Sequence, residues 1–160
     1  MEENKTNILV VQTDQPILEM IQRKIGGQGR NVVDYCLTPS VARSKVAGNP
    51  NLSVVVTGER FYSLGSFSSE GSGVELSEDI YRSRPEVLTF RCTTDPRTYR
   101  GKIVGDIPKS ADHGLDELVL FLDSKRLPEL LRTKDWQGLV RTFPHIRFYL
   151  DRLAEWTGVK

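Results

Sequence analysis

Residues 7–12, Asn-Ile-Leu-Val-Val-Gln, form an almost unbroken apolar run with no polar residue alternating through it. A strand with one wet face alternates apolar and polar residues, whereas a strand covered on both faces reads as a continuous apolar run. The run therefore calls for a parallel sheet with helices on both sides. The residues that follow supply the first helix. Asp14 can cap it, Pro16 suits its first turn, and Ile17, Leu18, Ile21 and Ile25 recur at helical spacing until Gly26-Gly27 ends it. Asn31 to Leu37 reads as a second strand and Ser40 to Val46 as a short helix closed by Gly48-Asn49-Pro50. Leu52 to Val56 reads as a third buried strand. The order β-α-β-α-β implies right-handed crossovers.

Further along the pattern loosens. Residues 63–73 are rich in Ser and Gly and read as a mobile loop by composition. A helix is expected from about Val74 to Ser83, a fourth strand from Glu86 to Cys92, and a fifth from Lys102 to Asp106, ending at Ile107-Pro108. Leu115, Leu118, Val119 and Leu122 mark the next helix. A length of 160 residues suits one domain with an appendage, divided here as 1–124 and 125–160. The appendage holds both tryptophans and carries eight Lys or Arg against four acids, a net +4. Ile146, Tyr149, Leu150, Leu153 and Trp156 suggest an apolar stripe on a last helix that starts near Pro144. The five consecutive apolar residues Leu118 to Leu122 need cover beyond what one sheet face provides. The appendage is the nearest candidate and a partner chain, as in a homodimer through these helices, is the other.

Composition excludes several classes. The net charge of +1 argues against a whole-surface nucleic-acid binder, and no run of about 18 apolar residues exists to span a membrane. The polar start, Met-Glu-Glu-Asn-Lys, is unlike a secretory leader, so a cytoplasmic protein is expected. Cys36 and Cys92 fall near the ends of the second and fourth strands. Two cysteines so far apart in sequence make no disulfide framework, so free buried thiols are expected. His113 and His145 have no companion at metal-ligand spacing, and no metal or cofactor is expected.

The opening ILVVQTDQPILEMI resembles the start of the receiver domain of two-component response regulators, whose idealised form runs ILVVDDEPDILEMI. NLSVVVT is similar to that family's third strand. The resemblance spans roughly residues 6–124. It implies a flavodoxin-like, doubly wound sheet of five parallel strands in the order 2-1-3-4-5, with a C-terminal helical extension here. It also implies a pocket for phosphoryl transfer to an aspartate. In such a pocket two acids after the first strand hold Mg²⁺, and a Thr or Ser and a Lys after the fourth and fifth strands stabilise the transferred oxygens.

Each of those positions is changed here. The acidic pair maps to Gln12 and Thr13, followed by Asp14. The acceptor maps to Thr57, or to Val56 with a one-residue slip. The Thr/Ser position maps to Arg91 and the Lys to Ile107, while Pro108 is retained. A threonine hydroxyl lacks the negative charge of a carboxylate nucleophile, and amides and hydroxyls do not replace two carboxylates around Mg²⁺. The 16 positions from Arg91 to Ile107 leave little room for a crossover helix, so the fourth helix is expected to be shortened or missing.

The resemblance thus implies a pseudo-receiver, a non-enzymatic signalling adaptor that acts on a protein partner. Its candidate contacts are Tyr99, Lys102, Lys109, Trp136 and Trp156 in the stretch 93–109 and the tail, with the loop 60–73 as a third surface. Two alternatives stand beside it. One is a phosphate or nucleotide sensor in which Arg91 and Thr57 touch the anion. The other is a receiver retaining atypical phosphorylation with displaced acids such as Asp14, Glu59 or Asp106. Arg91 itself has two readings: an anion anchor, or a salt bridge to Asp14 or Asp106.

Overall fold

The computed structural model describes residues 5–12, 14–25, 31–58, 60–62, 69–93, 101–108 and 116–158, with the backbone path alone for 60–62 and 69–72. Five strands run parallel: β1 (Asn7–Val11), β2 (Val32–Cys36), β3 (Leu52–Thr57), β6 (Leu88–Thr93) and β7 (Ile103–Pro108). They lie in the order β2-β1-β3-β6-β7, which is the 2-1-3-4-5 order of the sequence argument. The apolar runs explain the placement, since β1, β3, β6 and β7 are buried along almost their whole length.

Helices α1 (Gln15–Ile25), α2 (Pro39–Gly48) and α3 (Gly73–Ser83) connect the first four of these strands. Asp14 caps α1 as expected, its Oδ1 accepting the Ile17 N–H at 3.2 Å. Thr38 caps α2 by accepting the Val41 N–H at 3.2 Å, with Pro39 in the first turn. On one face of the sheet Leu18 and Ile21 of α1 meet Ile8, Val10, Val54, Val56 and Phe90. On the other, Ala42, Val46, Leu76 and Ile80 of α2 and α3 meet Leu9, Val11 and Val55. Alternate residues along each strand serve opposite faces, as the pleat requires. Arg84, just after α3, binds four main-chain carbonyls at the end of α2, those of Val46, Asn49, Pro50 and Leu52, at 2.6–3.3 Å.

Three expectations need correcting. Part of the Ser/Gly-rich stretch is a strand, β5 (Ser69–Ser72), which pairs antiparallel with β4 (Arg60–Tyr62) just before the stretch. The five expected parallel strands are present, and among the described residues a sixth, antiparallel strand joins them. The last strand comes from the tail, which is not purely helical: β8 (Arg147–Phe148) pairs antiparallel with β7 through Gly105↔Phe148 and Asp106↔Arg147. The final helix, α7 (Leu150–Thr157), consequently starts after β8 rather than near Pro144. The region assigned to the shortened fourth helix, 94–100, lies outside the described residues, as do Tyr99, Lys109 and His113.

The tail packs onto its own chain. After α4 (Asp116–Leu122) come α5 (Leu127–Arg132) and α6 (Trp136–Thr142), and Leu127, Leu130, Leu139, Phe143, Ile146 and Leu153 join the core on the α1 side of the sheet. The apolar run of α4 explains this. Leu118, Phe121 and Leu122 are buried, and Phe121 lies between Phe90 of the sheet and Phe143 of the tail in tilted and edge-to-face contacts, at centroid distances of 4.8 and 5.1 Å. Buried Asn31 pins the entry to the tail: its side-chain amide donates to the carbonyls of Leu122 and Ser124, at 2.8 and 3.0 Å, and its carbonyl accepts the Thr6 N–H.

Leu153 is fully enclosed in that core. Leu153→Ala is expected to cost about 2–5 kcal/mol of unfolding free energy, measured by urea denaturation. A wild-type midpoint would mean that the tail is not docked in cis.

Candidate functional site

Strand register sets the site. Thr57 of β3, Arg91 of β6 and Asp106 of β7 are successive partners across the sheet, and Arg147 of β8 continues the row. This row lies toward the carboxyl ends of the parallel strands, where open α/β sheets bind ligands. All three residues of the parallel strands are buried: Thr57 1%, Arg91 8% and Asp106 0% exposed.

Arg91 takes the second of its two readings. Its Nε and Nη2 donate to Asp106 Oδ1 and Oδ2 at 2.8 and 2.9 Å, a two-point guanidinium–carboxylate pair. Tyr149, in the link between β8 and α7, donates its hydroxyl to the same Oδ2. The sequence placed Tyr149 on an apolar helix stripe. Instead it precedes the helix, caps the network with its phenol, and donates its N–H to the Val104 carbonyl at 2.9 Å. Burial, and then the bond to Asp106, push the Tyr149 hydroxyl up to about 12. The signal for this network was the acid of Val104-Gly105-Asp106-Ile107: a carboxylate in a strand buried on both faces requires a partner.

The other mapped positions are spent on local structure. Gln12 is half-buried, its N–H bonds the Cys36 carbonyl at 3.0 Å, and its Oε1 accepts the Asp14 N–H at 3.3 Å. Asp14 is exposed and occupied as the α1 cap. The Thr57 hydroxyl donates to the Gly58 carbonyl at 3.1 Å. The start of α3 closes over it: a Cβ added at Gly73 would sit 2.2 Å from the Gly58 carbonyl oxygen and 2.8 Å from Thr57 Cγ2. Ile107 is fully buried in the core of the α1 face and Pro108 ends β7. Thr13 and Glu59 lie outside the described residues.

A receiver pocket holds Mg²⁺, and the described donors here do not fit that ion. Mg²⁺ needs a near-octahedral shell of hard oxygens and retains carboxylates as its protein ligands. Asp14 is turned to its helix, and Asp106 would have to give up a guanidinium already bound through both oxygens. What the arrangement does chemically is neutralise a buried charge and fasten three segments together.

Of the expected interface residues, Trp136 and Trp156 both pack in part against the chain's own core, and Lys102 lies with its ammonium 4.2 Å from the Tyr81 ring centroid. Cys36 and Cys92 are both buried and not joined in a disulfide, and burial raises the Cys36 thiol to about 11, far from the reactive range. Among the described residues no helix is long and apolar enough to cross a membrane.

No family model and no curated protein matches the chain. Solved structures do. The signal receiver domain of an HD domain-containing protein from Pseudomonas fluorescens Pf-5 is 18% identical over 72% of this chain and 90% of that one, with a TM-score of 0.56. A CheY-like response regulator receiver domain protein from Methanospirillum hungatei JF-1 is 15% identical over 86% and 96%, with a TM-score of 0.46. An uncharacterized protein from Neptuniibacter caesariensis is 20% identical over 55% of this chain and 58% of that one, less than two thirds of its length, with a TM-score of 0.45. At these identities what is shared is the fold: this chain has the receiver fold with a C-terminal extension.

Asp106→Ala should strand the Arg91 guanidinium and cost about 3–5 kcal/mol, whereas Arg91→Met combined with Asp106→Leu should fall much closer to wild type. Urea midpoints of the three proteins check this. Tyr149 gives a pH signature. Its folded value lies above the unfolded value of about 10, so its contribution is complete below pH 10 and is lost as pH rises through about 12. Thermal midpoints between pH 10 and 12 should drop further in wild type than in Tyr149→Phe; parallel curves would dismiss the phenol's role.

Proposed function

We propose that the chain is a signalling module of the receiver fold that acts by binding a protein partner and not by aspartyl phosphorylation. The observation that carries this reading is Asp106. In the row of the sheet where a receiver does its chemistry, the carboxylate present is buried and bound at both oxygens by Arg91. An acid held in this way is a poor nucleophile and a poor metal ligand, because either role requires breaking a charge-assisted pair in a water-poor site. The acceptor position supports the same reading, since a hydroxyl already donated to its neighbouring carbonyl beneath the start of α3 carries none of the negative charge of a carboxylate nucleophile.

The tail bears on where a partner binds. β8 occupies the free edge of β7, and α5 to α7 fill the adjoining face in cis. In the resembled family the region around the fifth strand and its helix usually carries the output. Here that surface is built over, so docking falls to the outer side of α4 and the tail, where Leu120 and Leu150 are exposed. The tail packing in cis removes the need for a homodimer to cover α4. The sensor reading, with Arg91 and Thr57 holding a phosphoanion, has less behind it, because Arg91 already has a carboxylate as its anion.

Beryllofluoride with Mg²⁺, added to the full chain, should leave its amide NMR spectrum unchanged, and acetyl phosphate should add no phosphoryl mass. A magnesium-dependent beryllofluoride shift centred on β3 and β7 would overturn the proposal. Restoring the acid alone should not restore the chemistry. Thr57→Asp is expected to lower stability by about 1–3 kcal/mol, the cost of a buried group without a partner, and to confer no magnesium-dependent rise in thermal midpoint.

A further inference from the structure

At the opposite, amino-terminal end of the parallel strands the tail creates a second concave site. A cavity of about 240 Å³ opens between the end of α3, the starts of β6 and β7, and α7. Its apolar lining is contributed by Val87, Leu88 and Val104, each 5% exposed or less. Aromatic rings stand on two sides, Tyr81 from α3 and Trp156 from α7.

The charges around it are unequal. Glu155 is bound by Arg152 Nη1 through both oxygens, at 3.0 and 3.1 Å, and Glu86 is bound by Arg84 Nε at 2.9 Å. Both carboxylates are therefore matched. Lys102 and Lys134 also line the cavity, and neither makes an ion pair among the described residues. Each is held by a ring instead: Lys102 Nζ lies 4.2 Å from the Tyr81 centroid and Lys134 Nζ 5.8 Å from that of Trp156. Among the described residues, two lysines outside any ion pair thus flank an apolar recess whose two carboxylates are already paired to arginines.

Lys134 stands in the turn just after α5. Its backbone is left-handed, with φ of 50°, and among the described residues it is the non-glycine with positive φ. Glycine or asparagine accepts that conformation with less strain. The position holds a lysine whose ammonium bonds the Trp156 carbonyl at 3.3 Å and faces its ring. The conformation closes α5, with the Asp135 N–H bonding the Leu130 carbonyl at 2.9 Å across the left-handed turn that commonly ends a helix.

We propose that this cavity binds a small organic acid, with an apolar or aromatic body against Val87, Leu88 and Val104 and a carboxylate held by Lys102 and Lys134. Because Trp156 supplies one wall, binding requires the docked tail, and the ligand stabilises that docking. This site is separate from the Thr57–Arg91–Asp106 row and stands or falls without regard to phosphorylation.

Phenylacetate is a suitable probe, titrated into the full chain and followed by amide NMR and thermal midpoint. Saturable binding is expected, with shifts confined to residues around Tyr81, Lys102 and Trp156 and a raised midpoint. 2-Phenylethanol, which keeps the body without the charge, and inorganic phosphate, which keeps charge without the body, should each bind at least tenfold more weakly. Lys102→Gln combined with Lys134→Gln should weaken phenylacetate binding at least tenfold while the circular dichroism spectrum stays that of wild type. Absence of saturable phenylacetate binding, equal binding of either control compound, or undiminished affinity in the double variant would each overturn the proposal.

Discussion

A carboxylate with no exposure to solvent sits in the fifth parallel strand, and the arrangement around it follows from the cost of burying that charge. Moving a lone carboxylate out of water costs several kcal/mol even after relaxation. Asp106 avoids that cost by engaging Arg91 on the neighbouring strand and Tyr149 from the tail. β6, β7 and the link into α7 are thereby joined at one point. The same bonds determine what the row can do, because a guanidinium now occupies both oxygens that would otherwise face a cation or a phosphoryl group.

The tail is part of the same solution. α4 carries more apolar surface than the sheet can cover, and the tail residues Leu127, Leu130, Leu139 and Phe143 complete the core beneath it. A chain of rings from Phe148 through Phe90 and Phe121 to Phe143 links strand, helix and tail, with centroids 4.8–6.0 Å apart. Docking the tail also moves Trp156 beside Lys134 and forms the recess at the amino end of the strands. One packing requirement therefore sets the edge of the sheet, the cover of α4 and the second concave surface.

Much of this was legible in the residues. The apolar runs at 7–12 and 52–56 specified buried parallel strands, and Asp14 and Pro16 marked the start of α1, because both signals are local. The altered pocket positions were legible as well, through their spacing from those strands. The bond partner of Arg91 was narrowed to two acids, and register decided between them. β8 and the role of Tyr149 were not legible. A two-residue strand has no periodicity to detect, and Ile146, Tyr149, Leu150 and Leu153 mimic helical spacing while Ile146 and Tyr149 serve packing that lies outside the helix. The β4–β5 pair escaped for related reasons, since β4 is only three residues long and the Ser and Gly of β5 give no strand signal.

The short strand β8 has one more consequence. A parallel sheet has two open rims at which a stray extended segment can add by main-chain hydrogen bonding, and such rims are routes to aggregation. At one of them the edge strand is β8, only two residues long, which offers little backbone for such an addition. The other belongs to β2, where exposed Asp34 is paired to Lys45 at 2.7 Å and places charge along the unpaired side. Strand-by-strand growth is thus opposed by a very short edge at one rim and by charge at the other.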